Sequence, residues 1–484
     1  MSLKKINKDT STRRSFIKKG VAASSIFIVP RHVLGGVGYT SPSDQLVLAG
    51  IGVGGKGESD LRNAWIKGRE RVVAICDVDS SGKGSVGKSV KRYTNASFYD
   101  NFKKMLDTEK NIDAVTISTP DHTHASAAVY AMERGIHVYV QKPLTHNIYE
   151  ARLLTELARD KKLVTQMGNQ GASNPDQLQI QKWINEGAIG VISKVNVWTN
   201  RPVWPQGVEM KKPNAAEKPT TLNWDQWLGP AKETLYIPEM HPFNWRGWWN
   251  FGTGALGDMG CHLIDIPFKA LGLKYPTDVE CSIGSIFTKM WSADYYPEGC
   301  PPSSSVSMHF DATEKNNSPI QMTWSDGGIK PFHPDLLPAE VSIVDNGVIM
   351  IGDKGVIVCD AYGNDPKLYR KGEPVVEGEK IKISEPEFGH QRQWVDACKA
   401  GFNSSEHKSL TSSFDYSGPL TETVLMGNIA IRSYMLQETS TTRRRGNYIG
   451  RKKLLWDGNN MRITNLEQAN QFVGRTYRKG WELS

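Results

Sequence analysis

The chain has no C-x-x-C pair: its six cysteines stand far apart, at 76, 261, 281, 300, 359 and 398, which argues against a structural zinc knuckle. Cys76 and Cys359 lie in strand-like apolar strings and read as buried small side chains, and a Cys281–Cys300 disulfide is left open. No apolar run reaches the roughly 18 residues that a membrane helix needs, and the longest, GVAASSIFIVP at 20–30, falls well short. Internal repeats are absent. The body also lacks a basic surplus. Residues 1–31 hold eight basic side chains and one acid, and so supply +7 of the +8 net charge. A nucleic-acid binder carries its basic surplus in the folded body, so that class is set aside. The composition is globular, with 39% apolar residues, 45 Gly and 25 Pro, and 484 residues are enough for more than one domain.

The leader has the layout of an export signal, with a basic stretch, a short apolar run and then polar sequence. The string STRRSFIKKG at 11–20, with Arg13-Arg14, Phe16 and Lys18 in order, resembles a twin-arginine signal. That resemblance implies export of a folded protein by the twin-arginine translocase to the periplasm, with 1–43 as signal and linker.

From Asp44 the pattern becomes β/α. The segment QLVLAGIGVGGKG at 45–57 is an apolar strand running into closely spaced glycines, followed by a helical pattern at 58–68 and a second apolar strand at 71–79. Continuous apolar strands alternating with helices predict a parallel sheet covered on both faces. Gly52, Gly54 and Gly57 fit G-x-G-x-x-G: a tight turn, open approach for a diphosphate, and close helix–strand packing. Gly55 lies in the same turn, and Asp77 stands 20 residues beyond Gly57, placed to accept ribose hydroxyls and repel a 2′-phosphate. These residues predict dinucleotide binding, with NAD favoured over NADP. Further on, the strand at 114–119 delivers Thr119, Pro120, Asp121, His122 and His124 to a loop, and the strand at 136–140 delivers Gln141-Lys142-Pro143. Both strand ends face the carboxyl edge of the sheet, where such sheets bind ligands. His122 and His124 lack a wider ligand array, so no metal is expected. A helix at 145–164 and a strand at 163–168 close the domain 44–168 and hand over Asn169.

Beyond 175 the alternation gives way to period-two strands at 190–200, 278–291, 305–313 and 319–327, suited to a sheet with one packed face. These lie in a second domain, 169–435. A Pro/Trp-rich insertion spans 200–249, and eight of the chain's 14 Trp fall between 183 and 249. Flat aromatic faces beside His241, Trp245 and Arg246 predict a carbohydrate-like ligand, with structural tryptophans as the alternative. In GTGALGDMGCHLIDIPFKALG at 252–272, a helix puts Asp258 and His262 at i and i+4 on one face. His262 is then the candidate to take a hydroxyl proton, with Asp258 orienting or charge-coupling the imidazole and Lys142 stabilising an alkoxide or sharing the proton. Asn346-Gly347 and Asp353-Lys354-Gly355 read as hairpin turns, and helices are expected at 387–401 and 417–435. The remainder, 436–484, reads as a surface extension or oligomer arm.

Taken together, Gly52/Gly54/Gly57, Asp77, TPDHTH at 119–124, Lys142-Pro143 and GDMGCHLID at 257–265 resemble the glucose–fructose oxidoreductase, inositol dehydrogenase and rhizopine-catabolism (Gfo/Idh/MocA) family. The resemblance implies an α/β protein: a Rossmann dinucleotide-binding domain and a C-terminal α/β domain with an open, mostly antiparallel sheet that builds dimers or tetramers. It implies NAD-dependent hydride transfer on sugars or cyclitols, with Lys142, Asp258 and His262 catalytic and His124 beside the nicotinamide. Cofactor contacts fall on Gly52, Gly54, Gly55, Gly57, Asp77, Thr119, Pro120, His122, His124, Lys142 and Asn169. Substrate contacts fall on Lys142, His241, Trp245, Arg246, Asp258 and His262. Two departures stand out: Gln141 replaces the usual Glu, and Asp121 the usual Asn. A related sugar-cleaving family works by C3 oxidation, elimination and re-reduction, which gives a redox-neutral glycosidase or lyase as one alternative and a non-catalytic NAD-binding regulator or scaffold as another.

Overall fold

The computed structural model describes residues 44–379, 381–382, 384–438 and 447–483. The export leader, 1–43, lies outside them. Six short apolar strands build the first sheet: β1 (Val47–Ile51), β2 (Arg71–Cys76), β3 (Ser97–Tyr99), β4 (Ala114–Ile117), β5 (His137–Val140) and β6 (Thr165–Met167). They lie in the order β3-β2-β1-β4-β5-β6, all parallel. Strand order reverses between β1 and β4, and the crevice at their carboxyl ends is where such sheets take ligands. Helices α1 (Lys56–Trp65), α2 (Gly84–Arg92), α3 (Phe102–Thr108), α4 (His124–Met132) and α5 (Ile148–Asp160) make the crossovers. The side chain of Asn147 caps α5 by accepting from the Glu150 N–H at 3.0 Å.

The chain then runs through α6 (Asp176–Asn185) into the second sheet, begun by β7 (Ile192–Trp198). The insertion that follows contains α7 (Trp224–Leu228), and after it come α8 (Gly254–Leu263) and α9 (Asp265–Leu271). Strands β8 (Asp278–Ile283), β9 (Ser304–Phe310), β10 (Ile320–Ser325), β11 (Gly347–Gly352), β12 (Gly355–Asp360), β13 (Lys367–Arg370) and β14 (Val376–Glu377) extend the sheet. Helices α10 (His390–Ala400), α11 (Ser405–Lys408) and α12 (Phe414–Tyr434) follow, then the small pair β15 (Gln437–Glu438) and β16 (Asn447–Tyr448). Finally β17 (Leu454–Asp457) and β18 (Arg462–Ile463) join the second sheet, whose order is β14-β13-β12-β11-β7-β10-β9-β8-β17-β18. Within it only β7 and β10 pair in parallel. Alternation of buried and half-buried residues along β9 and β10 shows the one-faced packing that the period-two pattern predicts.

One expectation is corrected, and two further points take definite form. Asn346-Gly347 makes no hairpin turn: Asn346 Oδ1 instead accepts from Thr199 Oγ1 at 2.6 Å and the Asn200 N–H at 3.1 Å, and the β11–β12 hairpin turns at Asp353-Lys354. Cys281 and Cys300 are both free thiols. Residues 454–483 pack against earlier parts of the chain. Beyond β17 and β18, Arg475 pairs with buried Glu150 of α5 at 2.7 Å, Arg478 with Asp225 at 2.6 Å, and Trp481 packs against Phe102 of α3. Among the described residues no helix is long and apolar enough to cross a membrane.

Candidate active site

The glycine turn is built for close approach. Gly52 has φ 74°, and a Cβ on it would meet Ser118 O at 2.7 Å; one on Gly57 would meet Gly52 O at 1.8 Å. Gly55, the N-cap of α1, brings no capping side chain, and a Cβ there would meet nothing within 4 Å. The Gly55 N–H is held by Ser85 Oγ at 2.6 Å and the Gly57 N–H by Gly54 O at 2.9 Å, so the turn is fixed in place, and the open space at Gly55 before the start of α1 suits a diphosphate. Asp77 Oδ2 accepts the Val53 and Gly54 N–H groups, both at 3.0 Å, and Oδ1 accepts Asp79 N–H at 3.1 Å. Burial raises its pKa to about 6, against the pull of those three N–H donors. With three of about four lone-pair sites taken, Asp77 both shapes the turn and keeps an acceptor for a ribose hydroxyl. These residues fit a bound dinucleotide.

At the same rim, Lys142 Nζ donates to Asp258 O at 2.6 Å and to Asp258 Oδ1 at 2.9 Å, while Arg246 Nε reaches that Oδ1 at 3.3 Å. Burial opposes the Asp258 charge, but Lys142 and Arg246 prevail and hold its pKa near 2. The Lys142–Pro143 peptide bond is cis. His262 is 3% exposed, its ring edge-on to Tyr362 at 4.8 Å, and its Nδ1 is buried without a hydrogen-bond partner. Burial, reinforced by Lys142, pushes its pKa well below the usual histidine value, so the imidazole is neutral. Asp258 acts on His262 through its charge, which works against that lowering, and not through a hydrogen bond. The helix does put both on one face, but the carboxylate is claimed by two stronger cations, and the imidazole is left a free, buried nitrogen.

The loop histidines divide. His124 bridges two rim segments, Nδ1 to Pro143 O and Nε2 to Thr119 O, both 2.8 Å. Thr119 Oγ1 is buried and unpartnered beside it, and Pro120 O accepts the Thr123 N–H. His122 turns into the insertion: its ring nitrogens lie 3.1 Å from Phe251 O and 2.9 Å from Trp227 O, so it anchors that segment. Asn169 is likewise turned inward, bonding Ser412 and Cys261 O. His241 sits toward Asp79, whose charge partly offsets the burial that lowers its pKa.

The tryptophans are corrected too. All eight between 183 and 249 are at most 8% exposed. Trp224 stacks on Trp227 at 4.5 Å, and with Trp245, Trp248, Tyr236 and Phe251 they form a private core for an insertion with little regular structure. Trp245 presents only a face, already covered by the Arg246 guanidinium at 4.3 Å. Arg246 also lies 4.4 Å from the ring of Phe243, which is 45% exposed.

Sequence reasoning missed Asp60. It occupies an inward position of α1, fully buried, and bonds Gln141 Nε2 at 2.9 Å. Asp121 is also buried, accepting from Thr253 Oγ1 at 2.6 Å. Among the described residues no group of three or more His, Cys, Asp or Glu side chains is arranged to hold a metal.

Comparison with known proteins bears on this geometry. Residues 47–169 match the family model "Oxidoreductase family, NAD-binding Rossmann fold", and 174–283 match "Oxidoreductase family, C-terminal alpha/beta domain". Levoglucosan dehydrogenase of Pseudarthrobacter phenanthrenivorans is 26% identical over 185 residues, 38% of this chain and 39% of that protein. A glycosyl hydrolase family 109 protein of a Shewanella species is 30% identical over 180 residues, 35% of this chain and 38% of that one. The chain spans 39–54% of the length of the first curated relatives it matches. The fold is shared with an inositol dehydrogenase homolog from Azotobacter vinelandii, solved with NADH and myo-inositol: TM-score 0.54, 17% identity, 79% of this chain and 94% of that one covered. With its NAD-binding Rossmann sheet, its C-terminal α/β sheet and both domain models matched in order, the chain belongs to the Gfo/Idh/MocA oxidoreductase family.

Proposed function

We propose that this protein is an NAD-dependent oxidoreductase acting on a secondary alcohol of a sugar, glycoside or cyclitol. The observation that carries this reading is the Lys142–Asp258 pair at the rim of the cofactor sheet, with the neutral imidazole of His262 one turn further along the same helix. Bound NAD supplies the hydride acceptor. The neutral His262 imidazole accepts the hydroxyl proton, and the Lys142 ammonium, fixed by Asp258, stabilises negative charge developing on that oxygen. Arg246, lying over Phe243 and Trp245, borders the substrate side. The names of the relatives, a levoglucosan dehydrogenase and a scyllo-inositol 2-dehydrogenase, support a polyhydroxylated ring as substrate.

A second reading, oxidation at C3 followed by elimination, is favoured by the likeness to glycosyl hydrolase family 109 proteins. One experiment separates the two: a panel of free sugars, cyclitols and aryl glycosides, followed for both NADH absorbance and aglycone release. Stoichiometric NADH without release supports the dehydrogenase. Release without net NADH, with solvent deuterium entering C2, supports the glycosidase. His262→Ala and Lys142→Met should each lower turnover by about 10²–10⁴-fold while NAD binding persists; full activity in both would overturn the assignment.

We also propose twin-arginine export to the periplasm, supported by Arg13-Arg14 ahead of Phe16, and assembly as a homodimer or homotetramer. Fractionation of an Arg13→Lys/Arg14→Lys variant checks the first, with retention in the cytoplasm expected; light scattering of the purified protein checks the second.

A further inference from the structure

The Asp60 carboxylate accepts hydrogen bonds from four side chains: Lys56 Nζ at 2.6 Å, Ser118 Oγ at 2.9 Å, Gln141 Nε2 at 2.9 Å and Gln391 Nε2 at 3.0 Å. A carboxylate offers about four lone-pair sites, so this one is saturated, as a buried charge must be. Ser118 and Gln141 are the residues immediately after β4 and β5, Lys56 opens the helix of the glycine turn, and Gln391 lies in α10. Gln141 spends its other amide atom on the next residue: its Oε1 accepts the Lys142 N–H at 3.3 Å. Space around that amide is closed, because a Cβ on Gly168 would lie 2.4 Å from Gln141 Nε2.

We propose that Asp60 is a positioning residue for Lys142. Through Gln141 it fixes the backbone from which Lys142 reaches Asp258, and through Lys56 it ties that placement to the turn that receives the cofactor diphosphate. The pair works only with one carboxylate and one amide. A glutamate at 141 would set two carboxylates at hydrogen-bond distance in the interior, where like charges repel. The inference rests on the reading of Lys142 as catalytic.

The test exchanges the two groups. Gln141→Glu, Asp60→Asn, the double variant and Lys142→Met are compared by kcat, KM, calorimetric NAD(H) affinity and Tm. Each single exchange should lower kcat on the order of 10–100-fold, as misplacement of a reacting group does, with KM and NAD(H) affinity little changed. The double variant, with carboxylate and amide interchanged, should regain most of the kcat and most of the lost Tm. If Asp60→Asn does not fold, Gln141→Glu and the double variant carry the comparison. Additive losses in the double variant, or wild-type kcat in Asp60→Asn, would overturn the proposal. The Tm coupling needs no substrate, so the two readings fail separately: full activity in Lys142→Met removes the lysine's catalytic role, whereas an inactive Lys142→Met beside a fully active Asp60→Asn removes only the role given to Asp60.

Discussion

Asp77 ties cofactor affinity to pH. Its pKa is raised to about 6 by burial, from an ordinary aspartate value near 4. Between those values the folded protein holds the proton more tightly than the unfolded chain, so this group's contribution to stability falls as pH rises through that window. Ribose hydroxyls need the ionised form as acceptor. NAD affinity should therefore weaken as pH drops below about 6 and level off above it, which calorimetric titration at pH 5, 6 and 7.5 would show. His262 titrates in the opposite sense. Burial and Lys142 depress its pKa, so the proton-accepting neutral form persists at neutral pH and is lost only well below the usual histidine range. The acid limb of kcat should accordingly lie below pH 6.5; a limb at or above that value would assign the base to another group.

At the scale of elements, the glycine turn has no tolerance. Gly57→Ala would drive a methyl into Gly52 O, now 1.8 Å from the Cβ position, at a cost of about 3 kcal/mol, read as a lower Tm together with lost NAD binding. This turn was legible in the sequence because its chemistry is local: strand, glycines, helix and Asp77 follow one another along one βαβ unit. The Lys142–Asp258 pairing was not legible, because the two residues lie 116 positions apart, and helical spacing alone favoured His262 as the carboxylate's partner. Asp60 did leave a trace. With Gly57, Leu61, Asn63 and Ala64 it is buried on α1, and a carboxylate among the buried positions of a helix signals a buried polar network. The tryptophans misled for a physical reason. An insertion with a single short helix has few backbone ladders and must gather large side chains into its own core, so aromatic density there records packing.

At the scale of the whole molecule, residues 475–481 tie together segments far apart in the chain. Arg475 donates to His122 O at 2.6 Å and pairs with Glu150, which is itself fully buried and bonded by Tyr477 at 2.9 Å. Removing the guanidinium would leave a buried carboxylate short of its cation, so Arg475→Ala should cost about 3 kcal/mol, measurable by urea denaturation. The final segment carries no chemical motif, and its role became visible only through the residues it touches far back in the chain.

Helix α10 has a consequence for synthesis. One face of the first sheet is closed by Trp394, Val395, Ala397 and Cys398, which pack with Leu48, Ile75 and Tyr139, while Arg392 and Lys399 neutralise Glu70. On a ribosome, which extends a chain at roughly 5–20 residues per second, the nucleotide-binding domain emerges with that face bare and waits for its cover until residues 390–400 follow. A nascent chain or fragment ending near residue 169 should therefore bind NAD poorly and expose apolar surface to dyes and chaperones, and adding residues 384–438 in trans should protect it. Loading of the cofactor then waits until α10 has been made, well after the nucleotide-binding domain itself.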